Sequence, residues 1–164
     1  MTSIDSQPGY SRLQIILHWV VFLLIAQQYL FKDGISSAWE QITTGGEASI
    51  SPLVLAHVLG GGLVMLMALW RLRLRAKQGV AQTAGGGLFD VLAKLVHVGL
   101  YLLMLLMPLS GSVAWFLGVE VAAQGHNVMK VALLALVALH VLGALFHQFI
   151  LRDGTLDKMR KARG

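Results

Sequence analysis

The chain has 164 residues, of which 56% are hydrophobic and 13% charged, with 13 Lys and Arg against 8 Asp and Glu and a mean hydropathy of +0.70. That balance excludes a water-soluble domain, whose apolar faces would alternate with polar ones. The absence of cysteine excludes disulfides, zinc-thiolate sites, iron–sulfur clusters and covalent C-x-x-C-H haem attachment. The net charge of +5 is not a nucleic-acid signature, because the basic residues stand at the ends of apolar runs, where membrane topology places them.

In chain order, residues 1–12 read as a short polar tail without the basic n-region or small-residue cleavage site of a signal peptide. The first span is expected at about residues 13–31, uncharged over a length suited to a hydrocarbon core of about 30 Å; it carries Gln14, His18, Gln27 and Gln28. Residues 32–52 read as a loop with a Gly45-Gly46 turn and a helix start at Ser51-Pro52. The second span, about 53–70, holds His57 and Gly60-Gly61-Gly62 and stops against Arg71, Arg73 and Arg75. A basic and then glycine-rich connector through Gly85-Gly86-Gly87 follows. The third apolar run extends from Leu95 to Val119, contains His97, and gives a span at about 91–109 with Pro108 kinking or ending the helix near its far side. The fourth span, about 128–151, is entered at His126 and carries His140 and His147. One domain, residues 1–164, accounts for the chain: an all-α membrane protein, a four-transmembrane-helix up-down bundle.

Charge orients the bundle. Arg71, Arg73, Arg75 and Lys77 lie between spans two and three, and Arg152, Lys158, Arg160, Lys161 and Arg163 follow span four. The first connection sets Lys32 against Asp33, Glu40 and Glu47, and the third carries Glu120. The positive-inside rule then predicts cytoplasmic termini and outward-facing acidic loops in a bacterial inner membrane.

That topology sorts the histidines by depth. On a continuous helix His126 and His140 lie within about 40° of one face and about 21 Å apart along the axis. His57 enters span two at the outer surface, level with His126; His18 enters span one from the inner side, level with His140. The pairs His57/His126 and His18/His140 therefore suggest two cofactors stacked across the membrane. His147 instead of His140 would push one cofactor into the headgroups, about 31 Å from His126. Paired neutral imidazoles are what a low-spin b-type haem needs for electron transfer, with no axial position open for oxygen chemistry. Gly60, Gly61, Gly62, Gly99 and Gly143 are placed to thin the helices at haem edges, a role glycine also has in ordinary helix packing. His97 reads as a residue that hydrogen-bonds a neighbouring helix. Met65, Met67, Met104 and Met107 read as apolar filler. His147, at the inner interface, is either a quinone or proton contact or a snorkelling anchor; Arg12 and Arg71 at the same rim are candidates for a haem propionate or a reduced quinone.

The stretches YSRLQIILHW around His18, AHVLGGGLVMLMALWRLRLR around His57, LVHVGLYLLMLLMPLSG around His97 and ALHVLGALFHQFILRDGTL around His140 and His147 resemble the bacterial cytochrome b561 family, which includes the di-haem cytochrome b subunits of nickel hydrogenases. The resemblance covers residues 10–157 and implies that His18, His57, His126 and His140 ligate two haem b groups. It also implies electron transfer from an outer, periplasmic donor to ubiquinone, and one branch is similar to superoxide oxidases, making superoxide the leading donor. The outer loops depart from a positive funnel for that anion, since Lys32 and Lys130 face four acids. The first alternative is a haem subunit docked to a periplasmic dehydrogenase or hydrogenase-like partner; the second is a structural or transport protein with no cofactor.

Overall fold

The computed structural model describes residues 9–79 and 87–162; the expected roles of Gly85, Gly86 and Arg163 lie outside them. Among the described residues there is no strand. The elements are α1 (Arg12–Leu30), α2 (Asp33–Thr43), α3 (Pro52–Gln78), α4 (Leu88–Leu117), α5 (Glu120–Phe146), a π-helical turn (His147–Leu151) that prolongs α5, and α6 (Thr155–Lys158). The helices α1, α3, α4 and α5 with its extension are each long and apolar enough to cross a membrane. The chain is thus an all-α membrane protein with four spans.

The helix starts follow from local chemistry. Ser11 and Gln14 form a reciprocal capping box, with Gln14 N donating to Ser11 Oγ at 3.3 Å and Ser11 N donating to Gln14 Oε1 at 3.0 Å, which satisfies two donors that the first turn would otherwise leave orphaned. Ser51 caps α3 ahead of Pro52, a residue suited to the first helical turn. Gly118, left-handed at φ 66°, ends α4 two residues before α5 begins, so α4 and α5 are antiparallel neighbours.

Three boundaries differ from expectation. Residues 33–43, read as loop, form α2, because Ile35, Ala38, Trp39 and Ile42 recur at helical spacing and pack that face on α3. Pro108 does not end α4, which runs nine residues further to Leu117; a neighbouring bundle tolerates the missing N–H. α5 begins at Glu120, so His126 already sits two turns inside a helix.

Gln14 Nε2 donates to the Gly79 carbonyl at 3.3 Å and Trp19 Nε1 to the Met159 carbonyl at 3.3 Å. The start of α1, the end of α3 and the C-terminal tail therefore share one end of the bundle, rich in Arg and Lys. Tyr29 Oη donates to the Lys130 carbonyl at 2.5 Å, closing α1 on α5 toward the other, acidic end. α1 packs on α3, α3 on α4 and α4 on α5. The buried cluster of Val21, Val64, Ala68 and Met104 comes from α1, α3 and α4; α5 buries Leu133 and packs along α4, with Leu136 against Gly99 and the His126 ring against Gly111. Outward, large side chains such as Leu59, Phe116 and Leu142 stand exposed, as lipid contact requires.

Ala68 is fully buried in the packed seam, so Ala68→Leu is expected to destabilise the bundle by about 1–3 kcal/mol through overpacking, read as an earlier thermal transition in detergent.

Candidate functional site

Five histidines fall into two groups at two depths. Toward the acidic end, the His57 ring on α3 faces the His126 ring on α5 with centroids 6.4 Å apart and planes at 60°. Toward the basic end, His18 on α1 faces His140 on α5 at 6.0 Å and 56°. Both separations exceed the reach of a direct imidazole–imidazole hydrogen bond. Metal–imidazole bonds of about 2 Å, with about 1.1 Å more from each nitrogen to its ring centre, would set two axial imidazole centres about 6 Å apart. The donor sets fit one metal between each pair.

At the acidic end the His126 ring is held in a defined tautomer. His126 Nδ1 donates to the Met107 carbonyl at 3.0 Å, with Ser110 Oγ 3.3 Å away, which turns the Nε2 lone pair away from α4, the usual arrangement of a metal-bound histidine. Ser110 Oγ also donates to the Met107 carbonyl, at 2.9 Å. Gly111 makes room for this ring, since a Cβ there would lie 3.2 Å from both His126 Cε1 and Nδ1. Opposite, His57 Nδ1 is buried with no hydrogen-bond partner among the described residues, a costly state in an apolar layer.

The basic-end group contains a third ring. His97 on α4 lies edge-on to His140 with centroids 5.0 Å apart, closer than His18, and its Nδ1 donates to the Ala93 carbonyl at 2.6 Å. Its partner is thus the preceding turn of its own helix, not a neighbouring helix as expected. Depth alone would have placed it here, because α4 enters from the basic end. Arg71 lies within electrostatic reach of His18, His97 and His140. Its Nε donates to Tyr101 Oη at 3.5 Å, while Nη1 is buried without a hydrogen-bond partner among the described residues. A buried guanidinium nitrogen in that state fits an anionic group such as a haem propionate. Arg12, in contrast, stays exposed at the start of α1, about 9 Å along the helix from His18.

His147 is buried at the first position of the π-helical turn, and its Nδ1 lies 2.7 Å from Asp153 Oδ2. Burial opposes ionisation of Asp153, but hydrogen bonds from Thr155 and His147 outweigh it and hold the carboxyl below its usual range.

The expected glycines divide. Gly61, Gly62 and Gly143 face open space, whereas Gly99 abuts Leu136 and Gly60 abuts Gln28 and Gln27. Between α1 and α5 an apolar cavity of about 280 Å³ is lined by Phe22, Ile25, Tyr29, Leu134 and Val137 among others.

The family model described as prokaryotic cytochrome b561 matches residues 9–162. The chain belongs to the prokaryotic cytochrome b561 family. It is also 35% identical over 160 residues to a protein named cytochrome b562 from Cereibacter sphaeroides, covering 96% of this chain and 98% of that protein. This cytochrome b561-family chain is a membrane electron-transfer protein that binds haem b.

Gly111→Leu is expected to drive the His126 ring out of line with His57 while leaving the basic-end histidines in place. The expected result is a lowered haem-to-protein ratio, checked by pyridine haemochrome assay, with metal–histidine pairing as the physical basis.

Proposed function

We propose that the chain holds two haem b groups, one between His57 and His126 and one between His18 and His140, and carries electrons from an outer donor to ubiquinone. The observation that supports this best is the pair of imidazole spacings, 6.4 and 6.0 Å, both shared with α5. Haem b supplies reversible one-electron exchange when bound. Held by a histidine on each side, the group would supply electron transfer and not oxygen chemistry. Arg71 is the residue best placed for a propionate. The basic end is assigned to the cytoplasm of a bacterial inner membrane by its arginines and lysines.

Superoxide is the leading donor by family resemblance. The acidic end weakens that choice, because Lys32 is paired with Asp33 at 3.0 Å and Glu40, Glu47 and Glu120 share the surface, which disfavours an anion. This observation favours the second reading, a haem subunit that takes electrons from a docked periplasmic dehydrogenase or hydrogenase-like protein. Reduction of the purified chain by superoxide alone supports the first; reduction only with a partner supports the second.

Quinone at the basic end needs protons as well as electrons. His147 lies two turns beyond His140 on the same helix, in reach of the cytoplasmic surface, and is the proposed proton-bearing contact.

His57→Ala and His126→Ala are each expected to remove the same haem, and His18→Ala and His140→Ala the other, with about one haem per protein left in all four. Loss of both haems in His140→Ala alone would reassign the pairs. His97→Phe is expected to keep both haems, and a missing Soret contribution would give His97 a ligand role.

His147→Leu is expected to keep both haems and normal donor-side reduction but to slow reoxidation by a short-chain ubiquinone in stopped flow. An unchanged rate would leave the arginines as the candidates at that end.

A further inference from the structure

The chain beyond α5 holds polar order that haem ligation does not use. Hydrogen bonding turns π-helical over His147–Leu151, a form that often marks functional positions. Arg152 then adopts a left-handed conformation at φ 55° and Gly154 another at 69°; for the arginine this is a strained state that its surroundings must maintain. They maintain it through Asp153. Its N donates to the His147 carbonyl at 3.2 Å. Its Oδ1 accepts from Thr155 N at 3.0 Å and Thr155 Oγ1 at 2.5 Å, and its Oδ2 faces His147 Nδ1 at 2.7 Å. The Asp153 side chain is only 2% exposed and that of His147 11%. Leu156 N donating to Gln148 Oε1 at 3.2 Å and Trp19 reaching Met159 fasten the same returning segment.

Stopping a helix does not require this. A left-handed residue and the Thr155 bonds would turn the chain, whereas a carboxylate buried against an imidazole defines that imidazole's tautomer. With Nδ1–H held by Asp153, Nε2 is the nitrogen left for exchange. We infer that Asp153 is the positioning residue for His147 in quinone protonation, fixing the ring so that Nε2 passes protons from water at the basic end to a quinone oxygen. This rests on the reading that quinone is reduced at this end.

The balance is simple. Each quinone takes two electrons, one at a time, from the outer donor, and two protons. For each proton the Nε2–H bond of His147 breaks and an O–H bond forms on the quinone. Neutral His147 keeps its Nδ1 proton against Asp153, and water returns a proton to Nε2. Asp153 touches no reacting atom; its carboxylate holds the Nδ1–H and prevents the ring from rotating. The other charged groups on the elements packed here are Arg152, Asp157, Lys158, Arg160 and Lys161 on the returning tail, Arg12 on α1, and Asp90 and Lys94 on α4, whose Phe89 lies against Phe146 at 5.5 Å.

The test is stopped-flow reoxidation of dithionite-reduced full-length protein by a short-chain ubiquinone, from mildly acidic to mildly alkaline pH, for wild type, D153N, D153E, T155V and H147L. D153N is expected to keep its haem and its half-saturating quinone concentration. Its maximal rate should fall about 10- to 100-fold at alkaline pH and recover toward wild type in acid, where bulk protons replace the carboxylate's influence. D153E should restore most of the rate. T155V, which loosens Asp153 without touching its bond to His147, should show a smaller loss of the same pH shape, and it carries the test if D153N does not hold haem. Wild-type rates in D153N at every pH overturn the inference, as does a uniform, pH-independent loss with a raised half-saturating concentration. A slow H147L beside a wild-type D153N overturns the role of Asp153 alone. A wild-type rate in H147L overturns His147 as the proton-bearing contact, and the inference with it, and leaves the arginines as the candidates at this end.

Discussion

A histidine within a hydrocarbon layer must be given a partner, because nothing around it can replace the water it has lost. Six histidines lie within the spans of this chain, and five of them are gathered into two groups. α5 supplies His126 and His140 on one side, and α3, α1 and α4 present His57, His18 and His97 to them. The buried cluster draws on α1, α3 and α4, while α5 buries Leu133 and sets Leu136 against Gly99 and the His126 ring against Gly111 of α4.

What the sequence displayed clearly was what depends on single residues and their depth. The four spans stand out because each is apolar on every face and bounded by polar or basic residues, and the two imidazole pairs emerge once the helices are read as alternating in direction. Contacts between sequence-distant atoms were not visible in that way. Nothing in PLSGS announces that Gly111 stands against the His126 ring, or that Met107 offers its carbonyl to it. α2 was legible in its Ile35, Ala38, Trp39 and Ile42 spacing but was masked by the Ser, Thr and Gly around it. The tail after Leu151 was not legible at all as structure, because a π-helical turn and a left-handed arginine follow from tertiary hydrogen bonds and not from local preference. Arg12 was grouped with Arg71 by sequence depth, yet only Arg71 turns its guanidinium into the bundle.

The two ends of the bundle are chemically unequal. The acidic end presents an ion pair and further acids on loops and on an amphipathic surface helix, while at the basic end Gln14 donates to the last turn of α3, Trp19 donates to the tail at Met159, and Asp153 accepts from His147. Order is concentrated where a membrane-soluble acceptor would meet protons.

The stagger of His126 and His140 along α5 has an electrical consequence. Fourteen helical residues span about 21 Å, some two-thirds of a hydrocarbon layer about 30 Å thick. In the proposed two-haem arrangement, an electron moving from the acidic-end pair to the basic-end pair crosses a corresponding share of the transmembrane voltage. A full crossing is worth about 2.3 kcal/mol per 100 mV, so this step alone works against roughly 1.5 kcal/mol in a membrane energised to 100 mV, negative inside. The single helix that aligns the imidazoles therefore also couples the redox reaction to the membrane field. An energised membrane would hold electrons back at the outer pair, and a collapsed potential would release them inward.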